Sequence, residues 1–317
     1  HLDKLTAQAG QLLDKLTSAD IYLDTFALLS TPGWWQLLLC FLACSALMIY
    51  SLNAIEKNGF EGTLVGTLVM PYFSGFPNLC FAWLMARKGA GGTVVLENCL
   101  VNNVTTLTVI LAVPAMLWGL NLFRGKTLGE NDMKINRLSL LLSLLAMVFF
   151  GAAVFVLSKD GRITSTDGMI LVGIFLFWQL YHVFDVLKNK TRKAVRIKKR
   201  IIVDAVIVGL CAWGIFSSID SLVEWISARN SGLFSRAHLG VLSGILMVMP
   251  NAFLALYYSA AGRSDIAYSS QIGDCHICIP LCIGLFAIFT PITVMPAFGT
   301  ALYILLAAYA FHFLFLA

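Results

Sequence analysis

Charged residues are scarce in this sequence, and their scarcity excludes an ordinary soluble domain. Asp, Glu, Lys and Arg together make up 12% of the 317 residues, whereas hydrophobic residues make up 59%, and the mean hydropathy is +0.82. Soluble globular domains carry about 25% charged residues. The composition therefore predicts an integral membrane protein that contacts the lipid bilayer.

Catalytic motifs are also lacking: the sequence has no nucleophile elbow, Walker loop or H-E-x-x-H metal motif. We therefore expect neither an enzyme nor a cofactor. The eight cysteines are scattered through apolar stretches, unlike the disulfide framework of a small secreted domain. A soft-metal site at Cys275, His276, Cys278 and Cys282 is an alternative. However, His276 lies off the helical stripe of the three cysteines, so we predict no metal site.

Long hydrophobic runs dominate what is present. After Pro32-Gly33, nine segments each reach the roughly 20 residues that cross a bilayer. We place them at 34–54, 60–87, 93–122, 137–158, 167–187, 201–226, 236–261, 267–294 and 298–317. The prediction is an all-α membrane fold with nine to ten transmembrane helices. Before them, residues 1–32 contain LDKLT twice, which predicts an amphipathic helix outside the membrane and a candidate contact for protein partners through residues 1–30.

The positive charges predict an orientation. With loops assigned alternately to the two sides, one side has 14 and the other 8 of the 22 Lys and Arg residues. By the positive-inside rule the basic loop at 188–200 is cytoplasmic, or in the matrix of an organelle, and the N-terminus lies opposite. This fits a bacterial inner membrane, an organelle membrane or a plasma membrane. Between two spans, the basic run indicates orientation or anionic lipid and not nucleic acid.

The sequence also contains an internal repeat. Residues 76–90, FPNLCFAWLMARKGA, and 249–262, MPNAFLALYYSAAG, share a Pro-Asn pair, an apolar stretch and a small-residue turn. In each copy the next span is polar in its first half, as ENCLVNNVTT and QIGDCHICIP. The copies lie on the second and seventh spans, an offset of five, and because five is an odd number they are inverted. This predicts an inverted-repeat secondary transporter with halves 33–188 and 201–317 around the basic loop 189–200, and a site where two proline-interrupted helices meet.

These motifs resemble the alpha repeats of the calcium/cation antiporter superfamily, the sodium/calcium exchangers. Those repeats read approximately G-T-S-x-P-E on one helix and G-S-N-x-x-N on the next. The corresponding stretches here are FSGFPN and LMVMPN for the first motif, then VNNVTT and GDCHIC for the second. The resemblance implies an alpha-1 repeat at about 60–122 and an alpha-2 repeat at about 236–294. The ten-span family pattern further implies one additional C-terminal helix.

The resemblance also implies where ions bind, and the motif letters depart there. After the Pro, where the family has Glu, this chain has Asn78 and Asn251. The Ser of the second motif becomes Asn102 in one half and Asp274 in the other. The Thr position keeps a hydroxyl at Ser74, and the first Asn is kept as Asn103. We predict that ions bind at Ser74, Asn78, Asn102, Asn103, Asn251 and Asp274.

The chemistry of these residues predicts an altered ion site. Calcium takes six to eight oxygen ligands, usually with carboxylates, whereas amides offer oxygen without charge. The first hypothesis is an exchanger-like cation antiporter working by alternating access, with Na+, Ca2+ or H+ as transported ions. The alternative is a transport-inactive exchanger-fold subunit of a larger membrane complex, and a third is a channel for a small solute. Correspondingly, Asp274 either binds ions or is a structural carboxylate paired with His276 or an amide, and the Asn side chains either line the site or join helices.

Overall fold

Helices account for nearly all of the regular structure of this protein. The computed structural model describes residues 33–55, 72, 75–89, 91–119, 130–189, 200–262 and 264–316. Apolar runs in lipid fold as helices because each backbone N–H and C=O must be satisfied within the segment. The predicted N-terminal amphipathic segment, 1–32, and nearly all of the basic loop, 190–199, lie outside the described residues.

Eleven α-helices are described. They are α1 Trp34–Ile55, α2 Phe76–Arg87, α3 Gly92–Thr105, α4 Leu111–Trp118, α5 Glu130–Leu157, α6 Ser165–Asn189, α7 Arg200–Ser227, α8 Leu239–Ala260, α9 Ser264–His276, α10 Ile283–Phe289 and α11 Phe298–Leu316. Two π-helical segments, Thr106–Ile110 and Ile277–Cys282, join α3 to α4 and α9 to α10. A 3₁₀ turn, Arg236–His238, precedes α8. Two short strands, β1 Arg162–Ile163 and β2 Ile292–Thr293, pair antiparallel.

Most of the predicted membrane spans are present. Within the described residues, seven helices are long and apolar enough to cross a membrane, and the apolar part of α6 is shorter, Ser165–Tyr181. The predicted second span is described only over the 12 residues of α2. The predicted eighth span, 267–294, is too long at its end, because the helix stops at Phe289 and residues 292–293 form β2.

The predicted interruption at Pro250 is wrong, whereas most residues of the span before Pro77 lie outside the described residues. Pro250 lies inside α8, which continues to Ala260, and Pro77 lies in the first turn of α2, where proline costs no hydrogen bond. Within the described residues, irregular helical backbone lies in the following helix of each repeat, as the two π-helical segments. These segments, at matching places in both halves, adjoin the polar motifs.

Close helix packing brings the two halves together. The α3 helix of the first half packs against α8 of the second, α1 packs against α7, and α6 packs against α10. Gly240 and Gly244, four residues apart on α8, face α3: a Cβ at Gly244 would lie 2.9 Å from the Asn98 backbone oxygen. Small residues at this spacing allow helix backbones in membranes to approach closely.

Replacing Gly244 with Ala is expected to destabilise the protein by about 1–3 kcal/mol, because the added methyl group would meet the α3 backbone, which cannot rotate away. The matched control is Gly173→Ala, at a helical glycine with no atom within 4 Å of the added Cβ. Thermal unfolding in detergent should show a lower Tm for Gly244→Ala only. Equal Tm values for the two variants would contradict this packing.

Candidate ion site

Two of the predicted site residues join the halves through a hydrogen-bonded chain. The Asn102 Nδ2 on α3 donates to the Asn78 Oδ1 on α2 at 3.2 Å. In turn, the Asn102 Oδ1 accepts from the thiol of Cys278 in the second π-helical segment at 3.4 Å. All three residues are buried. A first-half amide pair therefore lies directly against the second half of the repeat.

Asn103 makes a separate connection. Its Nδ2 donates to the backbone oxygen of Cys275 and to the Tyr309 hydroxyl, each at 3.1 Å. Its Oδ1 is buried and has no hydrogen-bond partner among the described residues. Adjacent amides on α3 therefore have different contacts: Asn102 contacts α2 and Asn103 contacts α11.

The other two described site residues, Asn251 and Asp274, lie together on α8 and α9. The Asn251 amide is close to the Asp274 carboxylate, but no hydrogen bond of acceptable geometry joins them. Both residues are at most 1% exposed, and none of their four side-chain N and O atoms has a partner in the described part of the chain. One helical turn before Asp274, the Gln271 Nε2 donates to the backbone oxygen of Asn251 at 3.2 Å.

The candidate site contains few charged side chains, as does the whole sequence. The described residues contain two buried carboxylates, Asp204 and Asp274. Asp204, at the start of α7, lies 3.9 Å from the Arg200 guanidinium, as expected for a residue beside the basic loop. No such cation accompanies Asp274 among the described ion pairs. A carboxylate at the centre of a membrane helix costs about 2.5–3.5 kcal/mol on insertion scales, so Asp274 requires a cation or a proton.

His276 is not the partner of Asp274 in this structure. Its Nε2 lies 3.0 Å from the backbone oxygen of Ser143 on α5, and its ring makes edge contacts with Phe150 and Trp178. The carboxylate oxygens of Asp274 accept no hydrogen bond from it. Within the described ranges, no three His, Cys, Asp or Glu side chains are placed to hold a metal ion.

Apolar side chains occupy the positions from which hydroxyls of the exchanger motif are missing. A Cβ at Gly75, where the motif has Ser, would lie 2.7 Å from the Cγ2 of Ile277. Ile277, in the second π-helical segment, therefore fills the space of that side chain. In the second half, the corresponding positions are Met247 and Val248, each 1% exposed. Ser74, the remaining predicted site residue, lies outside the described residues.

The last helix contributes polar contacts that the sequence did not predict. Besides the Tyr309 contact with Asn103, His312 lies 2.9 Å from the Tyr268 hydroxyl through Nδ1 and 2.8 Å from the Leu107 backbone oxygen through Nε2. Leu107 belongs to the first π-helical segment and Tyr268 to α9, so α11 connects both repeats. In the sequence, Tyr309 and His312 could have been found by their three-residue spacing, which places two polar residues on one face of an otherwise apolar helix.

Comparison with known proteins identifies similar folds. The sodium/calcium exchanger protein family matches residues 33–184. The structure of the sodium-calcium exchanger NCX_Mj is similar over 89% of both chains, with 15% identity and a TM-score of 0.61. The H+/Ca2+ exchanger CAX is similar over 97% of this chain and 82% of its own, with 14% identity and a TM-score of 0.66. No curated protein matches the sequence. The predicted fold class, an all-α membrane protein with the inverted-repeat transporter fold, is confirmed.

Proposed function

We propose, from the match of residues 33–184 to the sodium/calcium exchanger protein family and from the exchanger-like fold, that this chain is a membrane antiporter that binds cations between Asp274 and the amides around it. The transported ions are those of its relatives' class, Na+, Ca2+ or H+, with monovalent ions preferred. The 188–200 loop faces the cytoplasm or matrix in this proposal.

One observation carries the proposal: the Asp274 carboxylate is fully buried, and neither of its oxygens has a hydrogen-bond partner among the described residues. The neighbouring Asn251 side chain is equally unbonded. Buried polar groups are almost always paired, and a buried ionised group is paired or binds a metal ion. A cation between the carboxylate and the Asn251 carbonyl oxygen satisfies both groups.

The donor set favours a monovalent ion. Asn78, Asn102, Asn103 and Asn251 supply neutral amide groups, and Asp274 supplies one negative charge. A divalent ion must lose more of its hydration and takes several oxygen ligands, with carboxylates among them. The Ile277 side chain further reduces the room for oxygen ligands near Gly75. One carboxylate therefore neutralises Na+ or a proton but leaves Ca2+ with excess positive charge.

The arrangement of the halves is consistent with alternating access. Asp274 and Asn251 belong to the second repeat, whereas Asn78 and Asn102 belong to the first, and the Asn102 contact with Cys278 crosses between them. Relative movement of the two halves would change which side of the membrane reaches the carboxylate while the carboxylate itself stays in place.

Ion flux in liposomes tests this function. The purified protein should give saturable Na+ or K+ flux driven by an opposing cation or proton gradient. Asn251→Ala should lower it about tenfold, because the site loses an oxygen ligand worth about 1.4 kcal/mol. Asn230→Ala, at an exposed loop position, is the control and should leave flux unchanged. Flux equal to that of empty liposomes for Na+, K+, Ca2+ and H+ would contradict the proposal.

A second candidate function is a transport-inactive subunit of a larger membrane complex. The buried Met247 and Val248, together with Ile277 against Gly75, support it because they replace polar side chains in the exchanger motif. Purification from the native membrane distinguishes the candidates. Co-purification with other subunits in a fixed ratio, together with unaltered activity of that complex in Asn78→Ala, would favour the structural role.

A further inference from the structure

The ends of α2 and α8 correspond residue by residue in the inverted repeat. Both helices close with a left-handed glycine, Gly89 at φ 61° and Gly262 at φ 71°, and these glycines have the same separation as the two Pro-Asn pairs. The residue before each glycine donates its N–H to the carbonyl four residues back at 3.0 Å. The resulting equivalent positions are Cys80 and Phe253, Leu84 and Tyr257, and Lys88 and Ala261.

These equivalent positions differ in burial. Leu84 is 4% exposed but Tyr257 is 65% exposed, and Cys80 is 5% exposed but Phe253 is 49% exposed. Beside Phe253 and Tyr257, a groove of about 520 Å³ lies between α8 and α1, lined by Ala46, Tyr50, Ala54, Pro250, Phe253 and Tyr257 among others. Leu254 and Tyr258, on the adjoining face of α8, pack with Ile49 of α1. The α2 helix is thus packed at its end, whereas the equivalent part of α8 leaves a groove between itself and its neighbour α1. Because the repeats are inverted, the closed and open contacts lie at opposite ends of the molecule.

An ion-pair cluster holds the closed end, and we call Lys88, Asp220 and Glu224 the Lys88 latch. The Lys88 Nζ lies 2.7 Å from Asp220 Oδ1 and 3.4 Å from Glu224 Oε1, both on α7. The equivalent residue at the open end, Ala261, has no charge. Burial lowers the pKa of Lys88, but hydrogen bonds and the negative charges of Asp220 and Glu224 outweigh it and raise the pKa overall. The lysine therefore stays charged at neutral pH, and added salt weakens the contact by screening the charges.

We propose that the Lys88 latch is a gating contact of the transport cycle, which holds α2 on α7 in this conformation and breaks when the two halves exchange their packing. The proposal rests on the alternating access inferred above. In the exchanged conformation α8 closes on α1, covering Phe253 and Tyr257, while α2 separates from α7. The ion pair costs little to break at its partly exposed position, which suits a contact that must open in every cycle.

A reversible cross-link tests whether the latch must open. The variant Lys88→Cys/Asp220→Cys is prepared with the exposed Cys40 and half-buried Cys44 changed to Ala, and treated with a reducible bis-methanethiosulfonate linker. Peptide mass spectrometry measures cross-linking independently of transport. We expect cross-linked protein to lose most of its flux and to regain it on reduction. Each single-cysteine variant, treated in the same way, controls for modification alone.

The outcomes separate the latch from the proposed function. Cross-linked protein that transports as fast as reduced protein would overturn the latch but leave the antiporter intact. A lack of flux even before cross-linking would count against the proposed antiporter function instead. The hydrogen–deuterium exchange experiment described next then decides whether the latch exists. Lack of cross-linking between positions 88 and 220 would also overturn it.

The structural arm uses charge reversal and hydrogen–deuterium exchange in lipid nanodiscs. Lys88→Glu should speed exchange at the end of α2 by about two- to fivefold, as expected for losing a partly exposed ion pair. Lys88→Glu/Asp220→Lys, which restores opposite charges, should return the rate toward the original value. Arg87→Glu makes the same charge change at the adjacent exposed residue and should have no effect. Equal exchange in Lys88→Glu and Arg87→Glu would overturn the latch.

Discussion

Asp274→Asn is expected to abolish cation flux while leaving the protein folded. The substitution keeps the shape of the side chain and removes the negative charge of the proposed site. In a buried site, losing about 3 kcal/mol of attraction corresponds to roughly a hundredfold loss of cation affinity. The folded protein should not suffer, because a buried carboxylate without a partner costs about 2.5–3.5 kcal/mol in the membrane. Flux assays in liposomes and thermal unfolding without added cations measure the two effects.

Asp204→Asn is the matched control for this experiment. Asp204 is also buried, but it lies near the start of α7, beside Arg200, and outside the repeat motifs. It should keep flux near the level of the unmodified protein. Loss of flux in both variants with a common fall in Tm would indicate a general effect of changing buried carboxylates. Retained flux in Asp274→Asn would remove Asp274 from the ion site.

A carboxylate at position 251 is expected to create calcium transport. The exchanger motif has Glu after its Pro, and Asn251 holds that position here with neither side-chain atom hydrogen-bonded among the described residues. Asn251→Glu places a second negative charge beside Asp274. Because calcium affinity rises with the number of charged oxygen ligands, the preference for Ca2+ over Na+ should increase by about tenfold or more. Radioactive calcium uptake in the presence of competing sodium measures this change.

Asn251→Gln is the control that distinguishes the effect of side-chain charge from the effect of side-chain length in the Asn251→Glu experiment. Gln has the length of Glu without its charge, so it should alter the fit of the site but not produce calcium uptake. The same uptake in both variants would mean that size, not charge, determines selectivity. The equivalent change Asn78→Glu should be less effective, because the Asn78 Oδ1 already accepts a hydrogen bond from Asn102.

The architecture could be predicted from the sequence because a segment in lipid must be apolar and must satisfy its backbone hydrogen bonds internally. Each membrane span is recognised by the length of its hydrophobic segment. The two Pro-Asn pairs lie in spans that cross the membrane in opposite directions, which indicates inverted halves. Finer backbone features could not be predicted in this way. Pro250 lies within a helix that continues, since neighbouring groups can tolerate the lost hydrogen bond of a membrane proline. The π-helical segments have a proline within them or four residues after them, Pro280 and Pro114, but a proline indicates a disturbed helix without specifying which irregular form replaces it.

The burial of the candidate site residues could be predicted from the sequence, but their contacts only in part. Burial of Asn78, Asn102, Asn103, Asn251 and Asp274 agrees with polar residues turned away from lipid. Their partners come from distant parts of the chain, such as Tyr309 at Asn103, and motif letters do not encode these contacts. Likewise, the sequence indicates that Gly75 lacks a hydroxyl, but only the structure places Ile277 in the space beside it.

The most direct test is anomalous diffraction from crystals of the protein grown with Rb+, a heavy substitute for K+. Cation binding by Asp274 and its neighbouring amides predicts an anomalous peak between the Asp274 carboxylate and the Asn251 carbonyl oxygen, lost in Asp274→Asn crystals. A map in which both carboxylate oxygens instead accept hydrogen bonds from protein side chains, with no peak beside them, would contradict an ion site at this position.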